Sequence, residues 1–298
     1  MKFYIVDAFS TMAFGGNPAG VVILDQGADF PSDEIMVKTA AELRYSETAF
    51  IKRLSENEFN IRYFTPAAEV DLCGHATIAS FSALREAGII EPGKKYYNET
   101  LAGRLEIDIT EDYIMMEMGT PKILGTLEDH DQIQELYKIM GIKYEEVVFE
   151  KSTKGLLKML PMIVSTGLPD IMMPVASIEI LGDIAPDFDA LTELSKRYEV
   201  VGVHAFALDG GNVTARARNF APLYDIDEEA ATGTSNGALT YYLQQAGLIG
   251  EEADVSVIQG ETMGRPSIIK SHIKTAEGET TVKVGGTSVI LAEGNIFI

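Results

Sequence analysis

The sequence predicts a mixed α/β (α+β) chain built from two related halves, and three observations carry that expectation. The chain has 298 residues, long for one compact core and natural for two at roughly 150 residues per domain. Segments also recur in the same order: Arg62-Tyr63-Phe64-Thr65-Pro66 returns as Arg218-Asn219-Phe220-Ala221-Pro222, and Ala87-Gly88-Ile89-Ile90 as Ala246-Gly247-Leu248-Ile249. With extra residues near Asp225 to Glu229, Gly74 falls on Gly233 and His75 on Thr234, and Gly103-Arg104 continues as Gly264-Arg265. Finally, each copy has one local grammar. An alternating strand ends at a proline, a loop with acids follows, and a glycine with small residues opens a helix.

In chain order, alternation places strands at 2–8 and 20–24, then a helix at about 32–44 with Pro31 before it and Ser32 or Asp33 as cap. Strands follow at 47–53 and 59–64. The loop with Glu69 and Asp71 leads to a helix opening at Gly74 and stopping at Gly88, a residue suited to the left-handed position after a helix end. Strands at 104–109 and 113–118 close the first half, and Gly119, Pro121 and Gly125 mark a soft boundary. Acidic surface helices are expected at 128–140 and 187–198. The second copy has its strand at 213–220, its acidic loop at 225–229, and a helix from Gly233 to a stop at Gly247. The tail from Thr281 to Ile298 reads as two strands. If the halves face each other about a pseudo-twofold axis, their two helix N-termini converge on one cleft.

Composition narrows the function. Hydrophobic residues make up 46% and charged residues 23%, ordinary globular values. A net charge of −21 repels phosphate backbones and anionic membrane surfaces, so neither nucleic acid nor membrane is an expected partner. No apolar run reaches the roughly 18–20 residues that cross a bilayer. The N-terminus meets Asp7 too early for a signal peptide, and a cytoplasmic location is expected. The single cysteine excludes an intrachain disulfide, a multi-cysteine metal site and a two-thiol racemase mechanism.

Several residues could carry chemistry. Glu47, placed on a strand with Ala49 and Ile51, is either a polar residue at an exposed strand end or a desolvated general base. His75, at a helix N-terminus, is either packed there or a neutral imidazole facing a substrate oxygen. The turn at Gly233 and Thr234 offers backbone N–H groups and a hydroxyl to a carboxylate or oxyanion. Cys73 is a buried structural thiol or a nucleophile. Familiar cofactor signals fail. Gly15-Gly16-Asn17-Pro18-Ala19-Gly20 leads into a strand instead of a helix, no lysine follows the glycine turn at 231–238, and the four histidines lack metal-ligand spacing. What survives is an acid–base site with no cofactor and no metal.

The chain resembles the PhzF-like phenazine-biosynthesis isomerase family, whose fold is similar to diaminopimelate epimerase. The resemblance rests on Val6-Asp7-Ala8-Phe9 with Gly16-Asn17-Pro18-Ala19-Gly20, on Ser46-Glu47-Thr48-Ala49-Phe50, and on Arg62 to Pro66 through Cys73-Gly74-His75-Ala76-Thr77. Ala231-Thr232-Gly233 and Gln259-Gly260 with Met263-Gly264-Arg265-Pro266 extend it through the second half. It implies two halves, each a sheet wrapped around a central helix: 1–118, joined by the terminal strand 285–298, and 119–284. It also implies an active site between the halves, with Glu47 as acid/base and His75 as its catalytic helper. Gly74, Glu229, Gly233 and Thr234 would bind substrate. The family reaction isomerises trans-2,3-dihydro-3-hydroxyanthranilate without a cofactor, and homodimers are common. Two positions depart from the family pattern: Glu229-Ala230 stands where aspartate-proline is usual, and Thr234 where serine is frequent. The longer Glu229 would shift a substrate contact by about one methylene.

The expectation is therefore an isomerase of a small anionic cyclic or unsaturated acid, working by proton abstraction and return through a glutamate. Its rivals are a racemase or epimerase of an amino or hydroxy acid, and a catalytically silent metabolite-binding protein. An anionic substrate must overcome the net acidity through local groups, with Arg62, Arg218 and the helix N-termini as candidates.

Overall fold

A computed structural model describes residues 1–145, 147–151 and 155–298. The first elements are β1 (Lys2–Ala8), β2 (Asn17–Ile23), α1 (Asp33–Leu43), β3 (Thr48–Arg53), β4 (Glu58–Phe64), β5 (Glu69–Val70), α2 (Gly74–Glu86), β6 (Lys95–Thr100), β7 (Gly103–Ile109) and β8 (Ile114–Glu117). There follow β9 (Lys122–Thr126), α3 (His130–Ile139), β10 (Val147–Lys151), β11 (Gly155–Met159), β12 (Met162–Ser165), β13 (Pro169–Pro174), α4 (Ile178–Asp183) and α5 (Phe188–Tyr198). The remainder is β14 (Val203–Leu208), β15 (Ala215–Ala221), β16 (Ile226–Glu229), α6 (Gly233–Gln245), β17 (Glu252–Gln259), β18 (Ser267–Ala276), β19 (Glu279–Gly286) and β20 (Ser288–Asn295). Helix ends follow capping chemistry. Ser32, Asp129 and Asp187 accept first-turn N–H groups of α1, α3 and α5. Gly88 and Gly247 take left-handed φ of 69° and 66° after α2 and α6. Among the described residues no helix is long and apolar enough to cross a membrane.

The chain forms two compact units. The first comprises Met1–Glu117, Gly264–Ile268 and Gly285–Ile298, and the second Met118–Met263 and Ile269–Val284. A division at 119 and 284 leaves Gly264–Ile268 in the second half. In the structure that segment pairs with the first unit, Ile268 N–H donating to Phe9 O at 2.8 Å and Gly16 N–H to Pro266 O at 3.2 Å.

In the first unit β1 lies antiparallel between β2 and β20, β2 pairs parallel with β3, β3 antiparallel with β4, and β4 parallel with β6. β7 and β8 continue antiparallel. These strands surround α2, which packs on β1, β2, β3, β8 and β20. Every residue from His75 to Leu84 is buried, so over this stretch the helix has no solvent face and, His75 apart, its residues are small or apolar all round. Its hydroxyls are satisfied locally: Thr77 Oγ1 donates to Cys73 O and Ser80 Oγ to Ala76 O, both at 2.7 Å.

The second unit repeats the pattern. β13 and β14 pair parallel, β14 and β15 antiparallel, and β15 and β17 parallel, with α6 against β12 and β13. The duplication read in the sequence is thus a duplication of pairing order around a central helix.

Two buried carboxylates give measurable consequences. Asp7 is inaccessible to solvent and accepts from Phe14 N–H and from Arg265 Nη2, each at 2.8 Å. Arg265 also donates to Gly15 O and Gly16 O, so one guanidinium holds the turn before β2. Arg265→Ala strands the Asp7 charge and is expected to cost about 3 kcal/mol of stability in urea unfolding.

In the second unit, burial raises the Asp170 carboxyl to about 6 despite hydrogen bonds from Ser235, Gly202 N–H and Asn219. The unfolded chain ionises this group near 3.8, so the unfolded state gains from ionisation first. This contribution is expected to lower stability as pH rises from about 4 to about 6, by about 3 kcal/mol in all, and then to level off. Asp170→Asn should remove that fall, read by urea unfolding across the same pH range.

Candidate active site

Glu47 sits immediately before β3, so it is a strand-entry residue and not the strand residue that alternation suggests. Its carbonyl accepts Gly20 N–H at 3.3 Å, which ties the entry point to β2. The side chain is directed at the first turn of α2, where Glu47 Oε2 lies 3.2 Å from His75 Nε2. The imidazole is 3% exposed and the carboxylate side chain 14%, with Glu47 Oε2 itself buried.

His75 is held from several directions. Asn17 Nδ2 lies 3.2 Å from Nδ1, Ser46 Oγ 3.3 Å from Nε2, and Cys73 Sγ 3.4 Å from Nδ1. Burial alone would push Glu47 up. The bond to His75, its charge, and contacts from Ser46 and Cys73 outweigh burial and lower the carboxyl below 4.5. Burial likewise acts to lower His75, but Cys73 and Glu47 outweigh it and raise the imidazole well above 6.5. The sequence-level expectation of a neutral imidazole, drawn from the helix dipole, is corrected by this neighbouring carboxylate, a nearer and larger charge. Burial, then Glu47, pushes the Cys73 thiol up to about 11, so it stays protonated at neutral pH. A thiol in that state is a poor nucleophile.

Gly74, the first residue of α2, follows Cys73, which caps the helix without a side-chain hydrogen bond. The first-turn amides therefore keep the positive end of the helix dipole beside the pair.

The second unit brings Glu229, Gly233 and Thr234 together at the start of α6. Glu229 Oε2 accepts from Thr232 Oγ1 at 2.5 Å. Thr232 caps α6 without a side-chain bond to the helix, as Cys73 does for α2. Gln259 braces this turn with all of its hydrogen-bonding capacity. Its oxygen accepts Thr232 N–H at 3.2 Å and Asn236 Nδ2 at 2.8 Å, while its nitrogen donates to Glu229 O at 2.7 Å and Thr232 Oγ1 at 3.1 Å. The Thr234 carbonyl accepts from Thr166 Oγ1 at 2.9 Å.

Sequence reasoning gave Asn17, Ser46 and Gln259 no role. Each lay inside a quoted motif, but only tertiary pairing shows what it touches. The two arginines considered as counter-charges are occupied. Arg62 pairs with Glu69 and Asp33 and lies over Phe64, and Arg218 pairs with Glu228 and lies over Phe220. The repeat thus preserves an arginine–carboxylate–phenylalanine cluster in each unit.

The duplication also identifies the counterparts of the pair. Thr48 opens β3 opposite Phe64, and Val203 opens β14 opposite Phe220, the residue that matches Phe64. Glu47 therefore corresponds to Gly202, whose carbonyl accepts Ile171 N–H as that of Glu47 accepts Gly20 N–H. Cys73 corresponds to Thr232. Neither the carboxylate nor the thiol is duplicated.

Comparison with known proteins agrees with this architecture. Residues 6–294 match the family described as phenazine biosynthesis-like protein. A Deinococcus radiodurans protein named as an uncharacterized isomerase is 36% identical over 98% of this chain and 94% of its own. The trans-2,3-dihydro-3-hydroxyanthranilate isomerase of Pseudomonas fluorescens is 30% identical over 100% of this chain and 99% of its own. Among solved structures, the Bacillus anthracis phenazine biosynthesis protein of the PhzF family superposes with a TM-score of 0.85 at 24% identity, covering 100% of this chain and 99% of the other. A hydroxyproline epimerase from Agrobacterium vitis shares the fold more distantly, at a TM-score of 0.65 and 13% identity, covering 99% and 90%. With two units of one pairing order and a family match across nearly its whole length, the chain belongs to the phenazine biosynthesis-like, or PhzF, family of isomerases.

Proposed function

We propose that this chain is a cofactor-independent isomerase of a small anionic cyclic or unsaturated acid, with Glu47 as its single acid/base. The observation that carries the proposal is the 3.2 Å pair of Glu47 and His75 at the first turn of α2. Glu47, lowered by its neighbour, stands as the carboxylate at neutral pH and can accept a proton. It takes the proton from a carbon next to the conjugated system, the electron pair moves into that system, and Glu47 returns the proton at another carbon. His75, kept cationic, and the N–H groups at Gly74 face the negative charge that develops on substrate oxygen. In the second unit, Gly233, Thr234 and Glu229, the last held by Thr232, are the residues we assign to substrate binding.

The relative in Pseudomonas fluorescens supplies the first compound to try. Purified protein is incubated in D2O with trans-2,3-dihydro-3-hydroxyanthranilate and a panel of small unsaturated and amino acids, and proton NMR follows each substrate. Deuterium entering one of them with wild type and not with Glu47→Gln supports the proposal. Exchange that persists undiminished in a folded Glu47→Gln protein overturns it. The racemase reading is weaker because Cys73 has no thiol counterpart, Thr232 standing in its place.

A further inference from the structure

We propose that Gln259 and Thr232 are positioning residues for the Glu229 carboxylate and act in series: Gln259 orients the Thr232 hydroxyl, and the hydroxyl fixes the carboxylate. Hydrogen-bond direction sets that order. Gln259 is inaccessible to solvent, and backbone groups settle which way round its amide lies. Thr232 N–H, which can only donate, lies 3.2 Å from one end, and Glu229 O, which can only accept, lies 2.7 Å from the other. The first end is therefore the oxygen and the second the nitrogen. Asn236 Nδ2, itself anchored on Thr232 O at 2.8 Å, is a second donor to that oxygen at 2.8 Å. The other N–H of Gln259 meets Thr232 Oγ1 at 3.1 Å. A hydroxyl that accepts from an amide keeps its one proton for another partner, and Glu229 Oε2 stands 2.5 Å away. That is the length of an O–H donated to a carboxylate, the stronger class of hydrogen bond.

The duplication argues that this brace serves the site and not the fold. The repeat aligns Phe59 with Ala215 and Asn60 with Arg216. Their parallel partners are Asn98 and Glu99 in the first unit, and Val257 and Ile258 in the second. Gln259 therefore falls on Thr100, whose hydroxyl donates to Gly103 O at 2.8 Å inside its own hairpin. The central helix α2 thus opens without a side chain from this position, and α6 alone has one. Glu229 also has freedom to restrain. Glutamate carries one more rotatable bond than aspartate, and Ala230 after it leaves the backbone φ unfixed. Gln259 checks both, holding Glu229 O directly and Glu229 Oε2 through Thr232.

The consequence for substrate rests on the assignment of Glu229 to substrate binding, and the relay itself does not. The test therefore reads the Glu229 carboxyl directly, as its 13Cδ resonance in the full-length protein, assigned by its loss in Glu229→Gln. Thr232→Val keeps the volume and removes the hydroxyl, and is expected to shift that resonance, while Thr232→Ser should restore it. Gln259→Leu should shift it in the wild-type background and leave it unmoved in Thr232→Val, because the effect travels through the hydroxyl. Circular dichroism checks folding, and Gln259→Asn, one methylene too short, repeats the cycle if the leucine variant does not fold. An unmoved resonance in folded Thr232→Val, or equal shifts from the Gln259 change in both backgrounds, overturns the relay. With trans-2,3-dihydro-3-hydroxyanthranilate, or the panel acid that exchanges, Thr232→Val should raise KM about tenfold with kcat little changed, and Thr232→Ser should recover it. KM raised by Glu229→Gln and unmoved by Thr232→Val overturns the positioning role. KM unmoved by either, with the carboxyl signal shifting as expected, overturns the assignment of Glu229 to substrate and leaves the relay in place.

Discussion

Replacing Glu47 by glutamine is expected to lower the proton-exchange rate by about 100- to 10,000-fold, the usual contribution of a positioned acid/base. Glutamine keeps the volume and a hydrogen-bonding end, so the entry to β3 and the first turn of α2 should stay intact. What it removes is the charge that helps hold His75 protonated. In wild type, 15N-detected imidazole shifts should show His75 doubly protonated at neutral pH, because Cys73 and Glu47 raise it well above 6.5. In Glu47→Gln the burial effect gains on its opponents, and the imidazole should titrate at lower pH than in wild type. A glutamine variant with unchanged His75 titration would show that Glu47 does not set the state of this site. Signs for stability follow from the same shifts. The Glu47 contribution is present above its ordinary value of 4.5 and lost as pH falls through its lowered native value. The His75 contribution is present below 6.5 and lost as pH rises through its raised native value. The pair therefore stabilises the fold most between about pH 4.5 and 6.5, and the variant should lose the most there.

Much of the fold was legible because the signals were local. The alternation of 59–64, the caps at Ser32, Asp129 and Asp187, and the glycines after α2 and α6 are short-range features whose physics does not depend on distant chain. The segments left unassigned show the limit. The apolar residues of β12 and β13 are buried on both sides, so nothing alternates and periodicity cannot separate a short strand from a buried helix turn. The site divides in the same way. Cys73, Gly74 and His75 are one motif on one turn, whereas Glu47 reaches that turn only through the pairing of β2 with β3. The charge state of His75 was misread for that reason: a helix dipole is visible in sequence, and a tertiary carboxylate is not. Arg62 and Arg218 looked like free counter-charges until β5 and β16 brought Glu69 and Glu228 against them.

Gly202→Ala is expected to destabilise the protein by about 3 kcal/mol or more, read by urea unfolding. A Cβ built at Gly202 would lie 1.8 Å from Phe220 O and 2.8 Å from Phe220 C. These are backbone atoms of β15 and cannot swing aside. Gly182→Ala is the control: nothing lies within 4 Å of the Cβ it would add, so alanine there should be neutral or slightly stabilising. The contrast bears on mechanism because Gly202 is the register counterpart of Glu47. A two-base site derived from the duplication would need a second carboxylate at this position, and the backbone of β15 occupies the space its side chain would need. If Glu47 works alone, the proton it removes remains available for return, and product formed early in D2O should retain part of the substrate's own hydrogen. A separate second donor would deliver solvent deuterium from the first turnover. Early product free of substrate hydrogen would therefore count against the single-carboxylate reading even if Glu47→Gln proved inactive.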